Sequence, residues 1–194
     1  MIIYIPKGSN YDVTRLEEFY DETYNYLRSI GIEEIEYRVK MSFEINIKGI
    51  YVKLNIQNYK LGNRDDFSDW CRCDFSLTSG NWLNYHLVDD ELLLSSEVDE
   101  LEKNLTFLLE NKFSDIFEMP CIEPDFCFIL HPQKDLREDP KYTYVQPGYE
   151  IEDIYLEWRI YFWHDGLTDN FLDLRFNRDE IIKFRDYLSD VRNL

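Results

Sequence analysis

The sequence is poor in the residues and runs that mark flexible linkers, membrane spans and export signals. Its 194 residues include only 7 glycines and 6 prolines, too few for a low-complexity linker. No stretch of about 18 apolar residues occurs, so we expect no transmembrane helix. No basic segment precedes an apolar one at the N-terminus, so we expect no signal peptide. These absences predict a cytoplasmic protein that folds as a single domain over residues 1–194.

Basic residues are scarce as well. The chain has 21 Lys and Arg against 39 Asp and Glu, which gives a formal net charge of −18. Nucleic acids and anionic membranes are bound through Lys and Arg, so this balance predicts neither as a direct ligand. It predicts a basic partner, although an acidic surface can also serve solubility alone.

Motifs for catalysis and for bound cofactors are absent. None of the 3 histidines lies in a G-x-S-x-G or H-E-x-x-H context, and no glycine-rich loop that could hold phosphate occurs. The cysteine spacings, C-x-C and C-x5-C, differ from the C-x2-C pairs of many zinc sites. We therefore expect no catalytic residue, no metal and no cofactor, and buried free thiols in a reducing compartment. The four cysteines are Cys71, Cys73, Cys121 and Cys127.

Hydrophobic periodicity predicts an α+β fold with a largely antiparallel sheet of about seven to nine strands and three helices packed against it. The clearest unit runs from Ser68 to Leu109. Polar and apolar residues alternate over 70–77, Ser79-Gly80-Asn81 has turn chemistry, and a second strand-like run follows. A helix is predicted to start at Ser95 or Ser96, with Asp99 favouring that start.

Other segments complete this prediction. Apolar residues at helical spacing between Leu16 and Ile30 predict the first helix, and Asn177 with Glu180 forms a capping-box pattern for the last. The run Ile154 to Trp163 is apolar on both faces and predicts a central strand. Pro124 lies in the strand-like run Cys121 to Leu130, where it must occupy an edge, a bulge or the strand's start.

The densest acidic cluster lies between Asp89 and Glu102 and contains no Lys or Arg. Some of its acids favour the start of the predicted helix through the helix dipole. We predict that the others form a negative surface that steers a basic partner, with nearby aromatic residues as anchors. The predicted binding residues are Asp89, Asp90, Glu91, Glu97, Asp99, Glu100, Trp82 and Tyr85.

Several segments carry a family resemblance by their order and spacing. They are Asp69-Trp70, Asn81-Trp82-Leu83-Asn84, Leu94-Ser95-Ser96-Glu97-Val98-Asp99-Glu100-Leu101, Ile122-Glu123-Pro124-Asp125-Phe126 and Ile154-Tyr155-Leu156-Glu157-Trp158. Over residues 68–191 the chain resembles the WapI-like immunity proteins of bacterial polymorphic and contact-dependent toxin systems, whereas residues 1–60 lie beyond that pattern. The resemblance implies a cytosolic, non-enzymatic protein that binds the C-terminal toxin domain of a cognate secreted protein, commonly a nuclease.

Two other functions remain open from the residues alone. The first is a carboxylate- or metal-dependent hydrolase, for which Glu123 and Asp125 would be one candidate acid pair. The second is a nucleic-acid mimic that inhibits a host nuclease, which would use the same acidic surface on a different partner.

Overall fold

The computed structural model describes residues 2–3, 38–39, 42–60, 69–163 and 166–193. The chain divides into two compact units, Met1–Ser42 and Phe43–Leu194, and the single domain over 1–194 stays a prediction. In the first unit, strands β1 (Ile2–Ile3) and β2 (Arg38–Val39) pair in parallel. The helix predicted between Leu16 and Ile30 lies outside the described residues.

The second unit contains two four-stranded antiparallel sheets, one two-stranded pair and two α-helices. The first sheet has the order β3-β4-β5-β6, the second has the order β12-β11-β8-β7, and β9 pairs with β10. The strands are β3 (Phe43–Ile47), β4 (Ile50–Gln57), β5 (Trp70–Ser79), β6 (Leu83–Leu94), β7 (Phe117–Pro120), β8 (Phe126–His131), β9 (Lys134–Asp135), β10 (Ile151–Glu152), β11 (Tyr155–Trp163) and β12 (Leu167–Phe176). The helices are α1 (Ser95–Leu109) and α2 (Arg178–Arg192).

This architecture confirms the α+β class and the mostly antiparallel pairing, and it corrects the expected layout. The prediction of one sheet of seven to nine strands is wrong, because the described strands form two sheets of four and two separate pairs. The described residues contain two α-helices where three had been expected in the chain. β11 is central in its sheet, as its two apolar faces predict, and Pro124 lies just before β8 begins.

The core lies between the inner faces of the two sheets. On β5, alternate residues from Cys71 to Leu77 are buried, as the period of two predicts. The ring of Phe75 on this face lies 4.9 Å from that of Phe126 and 5.5 Å from that of Trp158, both on the second sheet. These aromatic contacts hold the inner faces of the two sheets together.

Helix α2 completes the core with a stripe of buried, mostly apolar residues. Phe184 stacks on Trp158 with ring centroids 5.2 Å apart, and it lies 4.8 Å from Phe43 on β3. The helix begins with the predicted capping box: Glu180 donates its N–H to the Asn177 side chain (3.1 Å), and Asn177 donates its N–H to the Glu180 carboxylate (2.7 Å).

Candidate partner-binding surface

The predicted acidic cluster is divided by the fold into groups with different surroundings. Its first three acids, Asp89, Asp90 and Glu91, lie on β6, where the register with β5 shifts between Cys73 and Phe75. All three are exposed. We call these three residues the acidic edge.

The acidic edge begins at a backbone irregularity. Asp89 has a φ of 54°, which aspartate tolerates better than most residues. Its N–H donates to the Asp74 carboxylate (3.1 Å) and its carbonyl accepts from Arg72 (3.0 Å). Side chains of β5 therefore hold the backbone of Asp89, and the residue itself is exposed to solvent. Arg72 also approaches the Glu91 carboxylate at 3.4 Å, so the acidic edge is only partly neutralised by its own chain.

Glu97 is not part of the exposed surface. Its residue is 7% exposed, and its two carboxylate oxygens accept the N–H groups of Leu94 (2.8 Å) and Ile122 (2.7 Å). Burial raises its pKa, and the two backbone hydrogen bonds act in the opposite direction. The prediction that Glu97 lies on an accessible binding surface is therefore corrected: the side chain caps α1 and ties it to the segment before β8.

Asp99 is committed to contacts within the fold. Its carboxylate accepts the Tyr59 hydroxyl (2.6 Å) and pairs with Arg192 of α2 (2.6 Å). Arg192 also pairs with Glu102 at 2.7 Å, so one guanidinium joins two acids of α1. Glu100 differs from these two acids, since it is exposed on α1. Of the three predicted binding acids on α1, Glu100 is the exposed one.

The two predicted aromatic anchors lie on the β5–β6 hairpin. Trp82 is 68% exposed in the turn. Tyr85 is half-buried, and its ring meets that of Phe162 edge-on at 5.1 Å. Its hydroxyl is shielded from solvent and has no hydrogen-bond partner among the residues that the structure describes. Burial raises the pKa of Tyr85 to about 12, and the charges of Asp125 and Asp90 act in the same direction.

Asp125 and Trp163 belong to the same region. Asp125 is 4% exposed, and the Trp163 side chain hydrogen-bonds to its carboxylate. The Asp125 carbonyl accepts the N–H of Tyr161 (2.9 Å).

Val88 on β6 is 75% exposed and lies next to the acidic edge in sequence. The only sequence signal for Val88 is that an apolar residue stands directly before an acidic run.

Three features bear on the alternative chemistries. The four cysteines are free and buried, and burial raises the pKa of each thiol, which keeps the thiols protonated and poorly nucleophilic. No group of three or more possible metal ligands occurs among the described residues. A shallow depression of about 480 Å³ lies on the outer face of the first sheet. Its single carboxylate, Glu44, pairs with Lys53 at 2.7 Å.

Neither helix in the described part of the chain is long and apolar enough to cross a bilayer.

Comparison with protein-family models identifies the family of this chain. The matching model is that of the immunity protein WapI-like family, and it covers residues 42–193. The chain therefore belongs to this family, and the resemblance predicted from residues 68–191 is confirmed. The match begins earlier than predicted and includes β3 and β4. A search of curated proteins found no match.

Proposed function

We propose that this protein binds a cognate toxin domain in the bacterial cytoplasm and neutralises it by covering a basic surface, and that the toxin is a nuclease. Immunity protein families are generally non-enzymatic, and the proposal assigns no catalytic step to this chain. The observation that carries the proposal is the exposed acidic edge, Asp89, Asp90 and Glu91, on the strand that follows the exposed Trp82.

The physical basis is charge complementarity. A nuclease presents Lys and Arg to bind phosphates, and carboxylates can occupy the same positions. A net charge of −18 attracts such a surface from a distance and speeds the encounter, while an exposed aromatic side chain supplies apolar contact once the surfaces meet. Glu100 extends the proposed surface, and Tyr85 supports it from the half-buried side of β6.

The proposal can be tested with the C-terminal domain encoded immediately upstream as the partner. The wild-type protein is expected to co-purify with that domain and to block its nuclease activity. Association should slow markedly between about 50 and about 300 mM NaCl, because screening weakens steering between opposite charges. Biolayer interferometry gives the association and dissociation rates at each salt concentration.

A matched pair of triple variants locates the surface. Neutralising the acidic edge with Asp89→Asn, Asp90→Asn and Glu91→Gln is expected to slow association at least about 10-fold at low salt. The control, Asp115→Asn, Glu138→Gln and Asp169→Asn, removes the same charge from exposed positions elsewhere and should stay within about 2-fold of wild type. Equal losses in both variants would reduce the effect to net charge, and no loss in either would put the interface elsewhere.

The nucleic-acid mimic shares this surface and differs in its partner. Inhibition of a host nuclease, together with failure to inhibit the neighbouring gene product, would favour the mimic over the immunity protein.

A further inference from the structure

β6 lies at one edge of the first sheet and is long for an edge strand. It has 12 residues, and β5 is its only partner in the sheet order. No other described strand pairs with the opposite side of β6. An edge strand presents unpaired N–H and C=O groups, and proteins usually protect such an edge with charges, prolines, bulges or short length.

The other three edges of the two sheets carry such protection. β3 has only 5 residues and includes Glu44. β7 has 4 residues, of which the last is Pro120. β12 is longer but carries Asp169 and Asp173. Each of these edges is therefore short, interrupted or charged.

β6 is protected in its second half only. The register shift with β5 lies between Leu87 and Asp90, the acidic edge occupies residues 89–91, and Leu94 donates its N–H to Glu97. The first half, Leu83 to Val88, has no proline, no formally charged side chain at pH 7 with histidine neutral, and no shift of register with β5 from Leu83 to Leu87. We call Leu83 to Val88 the open edge.

The ladder indicates which backbone groups of the open edge face outward. Trp82 donates its N–H to the Ser79 carbonyl (3.3 Å), which closes the turn, and Ser79 pairs with Leu83. Hydrogen-bonded and non-hydrogen-bonded pairs alternate in an antiparallel ladder. With Ser79 and Leu83 as a hydrogen-bonded pair, Leu83, Tyr85 and Leu87 bond to β5. The N–H groups that point away from the sheet are then those of Asn84, His86 and Val88.

We propose that the open edge is where the partner docks, by adding an extended strand of its own to the first sheet. This inference rests on the proposed function and specifies how the toxin domain is held. The added strand bonds to the backbone of Asn84, His86 and Val88, and it carries Lys or Arg where it passes the acidic edge. Main-chain hydrogen bonds supply affinity in this mode of recognition, and the charges set the register.

The charge pattern is what selects a basic strand over a second copy of this chain. Two β6 strands that paired in parallel would bring the two acidic edges together, and two that paired antiparallel would still join two chains of net charge −18, so like charges oppose either arrangement. A basic strand meets no such repulsion. The acidic edge thus acts against self-association and in favour of the partner.

Amide hydrogen exchange on the intact protein tests this directly. In the free protein, the amides of Asn84, His86 and Val88 should exchange much faster than those of Tyr85 and Leu87. Addition of the toxin domain encoded upstream should slow exchange at the first three amides at least about 10-fold, because each becomes hydrogen-bonded in the complex. Residue-resolved exchange by NMR measures both states.

A proline variant tests the same backbone groups by affinity. His86→Pro removes an outward N–H without removing a bond to β5, and it should weaken binding at least about 5-fold. Gln133→Pro places the same residue in the exposed connection between β8 and β9, and it should bind as wild type does. Thermal unfolding of both variants shows whether either substitution harms the fold, and if His86→Pro does, the exchange measurement decides.

Failure of this inference and failure of the proposed function have different signatures. A stable wild-type complex with unchanged exchange at Asn84, His86 and Val88 would overturn strand addition and leave the toxin-binding function standing. Absence of any complex between the wild-type protein and the upstream toxin domain would overturn both.

Discussion

Glu97 and Asp125 are buried carboxylates that the fold treats differently. Glu97 accepts two backbone N–H groups, so each of its oxygens has a donor. Asp125 is held by the Trp163 side chain and has acidic neighbours in Glu123 and Asp90. Burying a carboxylate favours its neutral form unless hydrogen bonds or cations compensate. Asp125 is therefore the residue whose ionisation most opposes folding in this region.

The first prediction concerns the pH dependence of Asp125. Burial raises its pKa to about 6, despite the hydrogen bond from Trp163, and Glu123 and Asp90 add to the rise. An acid with a raised pKa binds its proton more tightly in the folded state, so its stabilising contribution is present at low pH and is lost as pH rises through about 6. The free energy of unfolding of Asp125→Asn, measured relative to that of wild type, should therefore rise by about 1–2 kcal/mol as the pH increases from 5 to 7.5.

Urea unfolding at several pH values between these limits measures the difference. The exposed Asp115→Asn serves as the control, and its difference from wild type should stay constant over the same range. If the Asp125→Asn difference were also constant, the pKa of Asp125 would not be raised in the folded protein.

At the scale of elements, the starts of the two helices show which signals can be read locally. The capping box at Asn177 and Glu180 uses residues three apart, and it forms as predicted. The start of α1 was predicted at Ser95 or Ser96 with help from Asp99, and the helix does begin at Ser95. However, the N-cap residue is Leu94, whose N–H is bound by Glu97, while the Ser95 hydroxyl accepts from Lys60, 35 residues earlier.

The same limit applies to the candidate site. Asp89 to Glu102 is one acidic run in the sequence, but Asp99 pairs with Arg192 and Glu97 bonds to Ile122. Both partners lie too far along the chain from these acids for a local hydrophobic pattern to predict the contacts. Local patterns therefore identify the elements and the acids of β6. They do not show which acids are already paired or hydrogen-bonded within the tertiary structure.

The second prediction tests the contact that joins α1 to α2. Arg192→Gln should lower the free energy of unfolding by about 1–2 kcal/mol, because it leaves the half-buried Asp99 and Glu102 without their shared cation. Arg185→Gln is the control on the same helix, since Arg185 pairs only with its neighbour Asp186 among the pairs described, and it should cost much less. Chemical denaturation compares the two. Equal losses would mean that the ion pairs between α1 and α2 add nothing to stability.

At the scale of the whole molecule, two features dominate: two packed sheets and a large negative charge. Alternation of polar and apolar residues along a strand predicts which residues share a face, and the burial pattern of β5 shows this alternation. It does not predict which strands share a sheet, because any apolar face can pack on any other. The division into two sheets depends on contacts such as Phe75 with Trp158, between residues far apart in sequence.

The third prediction concerns the charge as a whole. With a net charge of −18, the folded chain repels itself, and salt screens that repulsion. The melting temperature should therefore rise between about 20 and about 500 mM NaCl, even though the surface ion pairs weaken, because each such pair contributes only about 0–1 kcal/mol. Differential scanning calorimetry measures the change, and KCl at equal ionic strength should give the same rise. A fall with both salts would mean that ion pairs outweigh the repulsion.

Helix α2 has a consequence for when the protein becomes able to act. Phe184 fills the space between Trp158 on the second sheet and Phe43 at the start of the first. Until residues 178–192 have left the ribosome, both rings lack their neighbour and the core cannot close. A nascent chain that stalls before this helix therefore lacks the aromatic contacts of Phe184 in the core.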